Sequence, residues 1–177
     1  MEKIKTLRRG ESLFHSGQFG SVWRLIRGLV RIERQGQDGH TLVQLALPGD
    51  LLGIESLFEE PYVFSVTALT PVVANEQVLN FELSRFSVIT QGYLQQQRRM
   101  HDMMKMRTGC VAERIAYLLK LLSLQPDGSQ SSLDRRGLPV LKDLACIVDT
   151  SAETVCRELN AFMPARVYQR PPLALVA

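Results

Sequence analysis

Hydrophobic and polar positions follow one period over the first eighty residues and another after them. Leu29-Val30-Arg31-Ile32-Glu33-Arg34 alternates apolar with charged side chains, the period of two that gives a strand one inward and one outward face. Val22–Arg27 reads as the strand before it. Gln35–His40, with Asp38-Gly39 inside it, is a hairpin signal, and Thr41–Leu47 is the returning strand. Ser12-Leu13-Phe14, Phe64–Leu69 and Val72–Asn80 supply further strands. Turns fall at Arg8–Glu11, His15–Gln18 and Pro48-Gly49-Asp50, and a short segment runs from Glu55 to Glu60. Several short strands at this spacing predict a sandwich or jelly roll.

At Glu82 the period changes. Phe86, Ile89, Tyr93, Met100 and Met103 (or Met104) recur at steps that fit a helical stripe. Gln95-Gln96-Gln97 interrupts it with polar side chains. A second helix is predicted from Val111 to Leu124, with Ile115, Leu118, Leu119 and Leu122 on one face. Gln125–Arg136 is rich in Gly, Ser, Asp and Pro and reads as a loop. Two short helices follow, at 139–148 and 151–162, and Pro164, Pro171 and Pro172 punctuate the tail. The predicted fold is α+β. An N-terminal antiparallel jelly roll occupies 1–81, a long helix 82–108 and a helical C-terminal domain 109–177, with the boundary near Thr108-Gly109.

The most informative stretch runs from Leu141 to Leu159. Leu144, Ala145 and Val148 form the inner face of a short helix. Asp149 falls where the chain must turn sharply, a position that often needs φ > 0, which Asp tolerates better than most residues. Ser151 suits an N-cap with Thr154 in the first turn. Val155 and Leu159, at i and i+4, face the first helix, and Ala152, Glu153, Cys156 and Arg157 lie nearer the outside. A helix, a tight turn and a second helix of this size predict a helix-turn-helix. Arg donates to guanine O6 and N7 and Glu accepts from cytosine N4, so Glu153 and Arg157 on one face can read one G·C pair together. The plainer alternative is a surface ion pair between them.

Composition bounds these readings. The 177 residues are 45% hydrophobic and 22% charged, with a formal net charge of +3, normal for a globular chain of one domain or two small ones. No apolar run approaches the roughly 20 residues that span a bilayer. Met1–Lys5 is polar with no apolar stretch behind it, so neither a secretion signal nor a membrane partner is expected and the protein is read as cytoplasmic. Residues 1–106 hold 12 basic and 11 acidic side chains, and 107–177 hold 9 and 7. Charge therefore permits nucleic-acid binding without arguing for it. Cys110, Cys146 and Cys156 are odd in number and widely spaced. That argues against a disulfide framework or a zinc site, and they read as small buried hydrophobes in helices.

Taken together, these residues resemble the cyclic-AMP receptor protein and FNR (CRP/FNR) family of bacterial transcription regulators over nearly the whole chain. Thr150-Ser151-Ala152-Glu153-Thr154-Val155-Cys156-Arg157 looks like that family's recognition helix, Ser-x-Glu-Thr-Val-x-Arg. Arg27–Ile32 looks like its Gly-x-Val strand, Pro48-Gly49-Asp50-Leu51-Leu52-Gly53 like its Pro-Gly-Asp-x-x-Gly turn, and Ser56-Leu57-Phe58 fits the short helix after it. The resemblance implies a cyclic-nucleotide-binding-like jelly roll, a dimerising helix and a winged helix-turn-helix. It also implies a homodimer on a two-fold symmetric double-stranded DNA site, and activation through RNA polymerase. It places Thr150, Ser151, Ala152, Glu153, Thr154 and Arg157 at the DNA. Lys142 and Arg166 are candidate phosphate contacts, and Tyr93, Met100 and Met103 or Met104 the dimer seam. The wing would have to be built from Val167–Leu173, where Pro171-Pro172 donates no backbone hydrogen bonds.

The departures concern the effector. Cyclic-nucleotide binders carry Gly-Glu for the ribose and Arg-Ser for the phosphate; the matching positions here are Gly53-Ile54 and Phe64-Ser65. Ile54 accepts no ribose bond and Phe64 pairs with no phosphate, so the pocket-like set Gly53, Ile54, Glu55, Ser56, Leu57, Phe64 and Ser65 is expected not to bind cyclic AMP. Glu55 is expected to point elsewhere. Residues 1–109 hold no cysteine for an iron–sulfur cluster. His15 and His40 read as turn residues, and His101 sits on the presumed dimer helix. No cofactor, metal or catalytic residue is expected, and scattered histidines argue against a metal-dependent jelly-roll enzyme. Two alternatives to the effector-independent regulator stay open: a sensor-regulator that needs haem or a small metabolite, and an interaction module with a degenerate DNA-binding head.

Overall fold

The computed structural model describes residues 3–36, 39–79, 82–124, 129 and 132–163. Among these, eight strands come first: β1 (Ile4–Leu7), β2 (Ser12–Phe14), β3 (Trp23–Arg27), β4 (Val30–Gly36), β5 (Gly39–Ala46), β6 (Leu51–Leu52), β7 (Ser65–Ala68) and β8 (Val72–Glu76). They form two four-stranded sheets of order β1-β8-β3-β6 and β2-β7-β4-β5, and every pairing is antiparallel. The predicted jelly roll is present. Phe14, Val30, Ile32 and Val66 from one sheet meet Trp23, Leu25 and Leu52 from the other in a shared core.

The alternation in β4 holds for Val30 and Ile32, which are buried, and breaks at Glu33, which is buried too. The β4–β5 register slips between Ile32 and Glu33, and a bulge of this kind re-aims a side chain. The buried carboxylate is compensated. Thr67 Oγ1 donates to it at 2.7 Å, and Arg31 Nε stands 2.9 Å away. Gly28, at φ 93, makes the tight turn into β4; a Cβ there would collide with the Pro71 carbonyl.

Four α-helices follow: α1 (Glu82–Arg107), α2 (Val111–Ser123), α3 (Leu141–Val148) and α4 (Ala152–Phe162). The chain breaks between α1 and α2 at Thr108–Gly109, with φ 84 at Gly109. A second core joins the helices to the lower rim of the β domain. Leu29, Leu45, Leu47 and Leu69 pack with Met106, Ile115, Leu118, Ile147, Val155 and Leu159, so the helical part rests on the sheets rather than hanging from α1 alone. No helix among the described residues is long and apolar enough to cross a membrane.

The cysteines depart from expectation. All three are free, with Cys110 and Cys146 exposed and Cys156 half-buried. Leu144, Ala145, Ile147 and Val148 occupy the inner face of the amphipathic α3, which leaves Cys146 on the solvent side. Cys110 is the N-cap of α2, outside the packed face.

Candidate functional site

The pair α3–α4 is built by local chemistry. Asp149 ends α3 in the left-handed region, φ 53 and ψ 65, and Thr150 N–H returns to the Ala145 carbonyl at 3.0 Å. Ser151 Oγ then accepts from Thr154 N at 3.1 Å, satisfying one of the orphan donors of α4. Val155 and Leu159 turn inward and are buried, while Ser151, Ala152, Glu153 and Arg157 are exposed and Thr150 and Thr154 half-buried. Lys142 is exposed on α3. Ser151, Ala152, Glu153, Arg157 and Lys142, all predicted from the sequence to meet a ligand, are thus open to solvent. The structure does not pair Glu153 with Arg157: Arg157 Nε lies 3.5 Å from Glu158 Oε1, with its side chain 71% exposed. Arg166 and the Val167–Leu173 wing segment lie outside the described residues.

Sequence reasoning missed what holds this pair in place. Arg114 Nη1 on α2 donates to the Val148 and Asp149 carbonyls at 2.7 and 3.1 Å, a cation at the C-terminus of α3 where the dipole favours it. Asp143, in the first turn of α3, faces Arg9 at 3.3 Å and Arg31 at 3.8 Å, both from the β domain.

On α1, Leu83, Phe86, Tyr93, Met100 and Met104 are exposed. Positions 86, 93 and 100 stand seven apart, as do 83, 90, 97 and 104, the spacing of a coiled-coil seam. Met103, the other expected seam residue, packs into the second core instead. Val88, Gly92, Asp102 and Met106 form the buried face.

That buried face carries a polar clasp. Arg99 donates to Asp50 through Nε and Nη2 at 2.7 and 3.0 Å and to Asp102 through Nη1 at 2.7 Å. Burial works against the Arg99 charge, but the two carboxylates outweigh it and hold its pKa above the ordinary value. Tyr117 of α2 donates to Asp102 Oδ1 at 2.8 Å. Its own burial and then that carboxylate push the phenol up to about 12, against about 10 for a free tyrosine. The folded protein thus keeps a proton that the unfolded chain sheds. The stabilisation is fully present below pH about 10 and fades as pH rises through about 12. Ultraviolet phenolate titration should show a late-titrating tyrosine that moves down in Asp102→Asn; an unchanged titration in that variant would refute the assignment.

Between the sheets and α1 lies a cavity of about 310 Å³. Ile32, Leu52, Phe64 and Val66 give it apolar walls, and Gly53, Ile54 and Glu55 form part of its rim, with Gln44, Gln95 and Gln96 as polar neighbours. Ile54 begins a short 3-10 helix (Ile54–Phe58) and packs on Gly92 of α1, where a Cβ would collide with Ile54 Cδ1. Glu55 lines the cavity but spends Oε1 on the Val63 N–H at 2.9 Å. The other three residues of the expected pocket set stand away from it. Ser56 Oγ donates to the Gly53 carbonyl at 2.7 Å, Leu57 packs on Val22, Leu51 and Val88, and Ser65 Oγ accepts from Ser16 N at 3.0 Å. Among the described residues no group of three His, Cys, Asp or Glu is placed to hold a metal ion.

Residues 4–93 match the model of the cyclic nucleotide-binding domain, more than half of the chain. The chain belongs to the cyclic nucleotide-binding domain family. Among solved structures this cyclic nucleotide-binding domain protein is similar to a CRP-family transcriptional regulator of Thermus thermophilus, at 25% identity and a TM-score of 0.65. That match covers 89% of this chain and 83% of the other. A CRP/FNR-family transcriptional regulator of the same organism shares the fold at 23% identity and a TM-score of 0.61, over 90% and 85% of the two chains. FixK2 of Bradyrhizobium japonicum does so at 19% and 0.62, over 92% and 84%. No curated protein matches the chain. The protein is CRP/FNR-like, as the motifs suggested.

Among the described residues, the cavity lining offers no cationic partner for a cyclic phosphate. No Lys, Arg or His is among the described residues that line it, and Glu55 is its one charged neighbour there. A cyclic phosphate would face a carboxylate and lack a counter-charge, and an unpaired ion removed from water is strongly disfavoured.

Proposed function

We propose that the protein is a sequence-specific DNA-binding transcription regulator, cytoplasmic, non-enzymatic, active as a homodimer and independent of cyclic AMP. Its parts are the β domain at 1–81, a dimer helix at 82–108 and a winged helix-turn-helix head at 109–177. The observation that carries the reading is the α3–turn–α4 geometry, with Asp149 left-handed, Ser151 capping and Glu153 and Arg157 exposed on one face of α4. A reading helix of this kind enters the major groove with its N-terminal residues at base edges. Thr150, Ser151, Ala152, Thr154 and Lys142 stand around that face, where Lys142 meets phosphate and Ala152 at most a thymine methyl.

The exposed seam on α1 supports the dimer. Tyr93, Met100 and Met104 are solvent-facing at coiled-coil spacing, and pairing two seams removes that apolar surface from water. A dimer then reads two half-sites about one helical turn apart, roughly 34 Å. The CRP/FNR resemblance makes RNA polymerase the expected partner and activation the expected output. Selection of bound sites from random DNA, with purified protein and no added effector, tests the reading. The expected product is a two-fold symmetric site whose affinity falls steeply with salt. Failure to enrich any sequence would overturn it.

A further inference from the structure

We infer that Asp143 is a positioning residue: with Arg9 and Arg31 it forms a charged latch that sets the rotation of the reading head on the β domain, so that the chain itself fixes the angle at which α4 is presented. What the latch does for DNA rests on the reading proposed above, but the latch is measured without DNA.

Asp143 stands in the first turn of α3, whose N-cap Val140 offers no side-chain acceptor. A carboxylate there suits the helix dipole. This one is turned to the β domain: Oδ2 accepts from Arg9 Nη2 at 3.3 Å, and Oδ1 stands 3.8 Å from Arg31 Nη1. With 15% of its side chain exposed, the group is partly removed from water, where salt screens it less. Both cations are placed by the β domain. Arg9 rides on the turn between β1 and β2, which is pinned to β7 by Gly10 N–H on the Ala68 carbonyl and Ala68 N–H on the Glu11 carbonyl, at 2.8 and 2.9 Å. Arg31 stands on β4 with its Nε 2.9 Å from Glu33 Oε2. The register slip that turns Glu33 inward thus aims the Arg31 guanidinium and leaves Nη1 toward Asp143.

The apolar core between head and sheets attracts without direction. It holds the two parts together and leaves their rotation to directional contacts. Those act at three points along α3. Asp143 lies at its start. Cys146 lies in its middle, where the carbonyl accepts from Arg107 Nη2 of α1 at 3.3 Å. Val148 lies at its end, where the carbonyl accepts from Arg114 of α2. Of the three, the Asp143 pairs are the ones that reach the β domain.

The test measures backbone residual dipolar couplings on the full-length, isotope-labelled protein without DNA. In wild type the β domain and α3–α4 are expected to share one alignment tensor, and in Asp143→Asn the two parts should require separate tensors. Arg9→Gln should move the couplings the same way by less, because Arg31 remains, and should add little in the Asp143→Asn background, as coupled partners do. Arg9→Gln alone decides the matter if Asp143→Asn does not fold. Separate tensors in wild type, one shared tensor in either variant, or an undiminished effect of Arg9→Gln in the Asp143→Asn background would each overturn the latch. A second arm measures DNA binding. Asp143→Asn should bind the selected two-fold site about fivefold more weakly or worse, as coupling between separated sites typically does. Its penalty for moving the half-sites one base pair apart should shrink, since a looser head reaches both. A merely weakened α3 leaves that spacing penalty unchanged, and that result would overturn the positioning role. If wild type binds no DNA, the reading of the head fails and the tensors still decide the latch.

Discussion

Arg157→Ala is expected to erase the preference for one G·C pair in each half-site while leaving the protein folded. The Arg157 side chain is 71% exposed, and its ionic neighbour among the described residues is Glu158, 3.5 Å away. A surface pair of that kind is worth about 0.2–1 kcal/mol, so the substitution costs the fold little and the effect falls on DNA. A good base contact discriminates by about 1–3 kcal/mol, and two half-sites double that to about 2–6 kcal/mol against the selected site. Competition between the selected site and versions substituted at each position gives the measurement. Wild type should reject a change at one pair that Arg157→Ala accepts. Glu153→Ala should relax the same pair, since glutamate reads the cytosine of the pair whose guanine the arginine reads. Lys142→Ala should behave differently, weakening every sequence alike and lowering the salt slope by about one per subunit. If Arg157→Ala also weakened every sequence alike, Arg157 would be a phosphate contact and the reading of the G·C pair would be lost.

The features behind that prediction were legible in the sequence because they are local. Asp149, Ser151 and Thr154 act on backbone groups within a few residues of themselves, and the spacing of Val155 and Leu159 fixes which face of α4 is inward. The jelly roll was legible for a related reason: strand alternation and turn residues repeat over short windows. Ile54 and Phe64 likewise announced a cavity without a ribose acceptor or a phosphate partner. What could not be read depends on contacts across the chain. Glu33 looks like an outward residue of β4 until the register slip and Thr67, thirty-four positions on, turn it inward. Met103 and Met104 are equivalent by periodicity, and only the docking of α1 on Leu45 and its neighbours decides which one faces solvent. The hydrogen bond from Gln44 Nε2 on β5 to Gln96 Oε1 on α1, at 3.1 Å, and the Arg114 bonds to the turn carry no motif at all. Each residue reads alone as an ordinary surface polar group.

Arg99→Met carries the largest expected loss of stability. Asp50 and Asp102 are both buried, and Arg99 is the one cation among the described residues that meets them, with its own side chain only 15% exposed. Asp50 keeps the Leu47 N–H and Asp102 keeps the Tyr117 hydroxyl, but neither partner supplies charge. Removing one member of a buried ionic network typically costs about 3–5 kcal/mol, because the remaining charge is desolvated and unpaired. At roughly 2–4 °C per kcal/mol for a chain of this size, the melting temperature should fall by about 6–20 °C. The control follows from the same physics. Adding Asp50→Asn and Asp102→Asn to Arg99→Met removes the orphaned charges, so the triple variant should recover much of the loss although it holds fewer ionic contacts than wild type. A triple variant no more stable than Arg99→Met would mean that the guanidinium acts through packing of its stem rather than through charge. The position of the clasp makes the distinction matter for function. Asp50 closes the β5–β6 turn, Arg99 and Asp102 sit on α1, and Tyr117 sits on α2, one helical turn from Arg114, which holds the α3–α4 turn. Loosening the clasp should therefore lower DNA affinity as well as stability, and should do so for all sequences alike, opposite in pattern to Arg157→Ala.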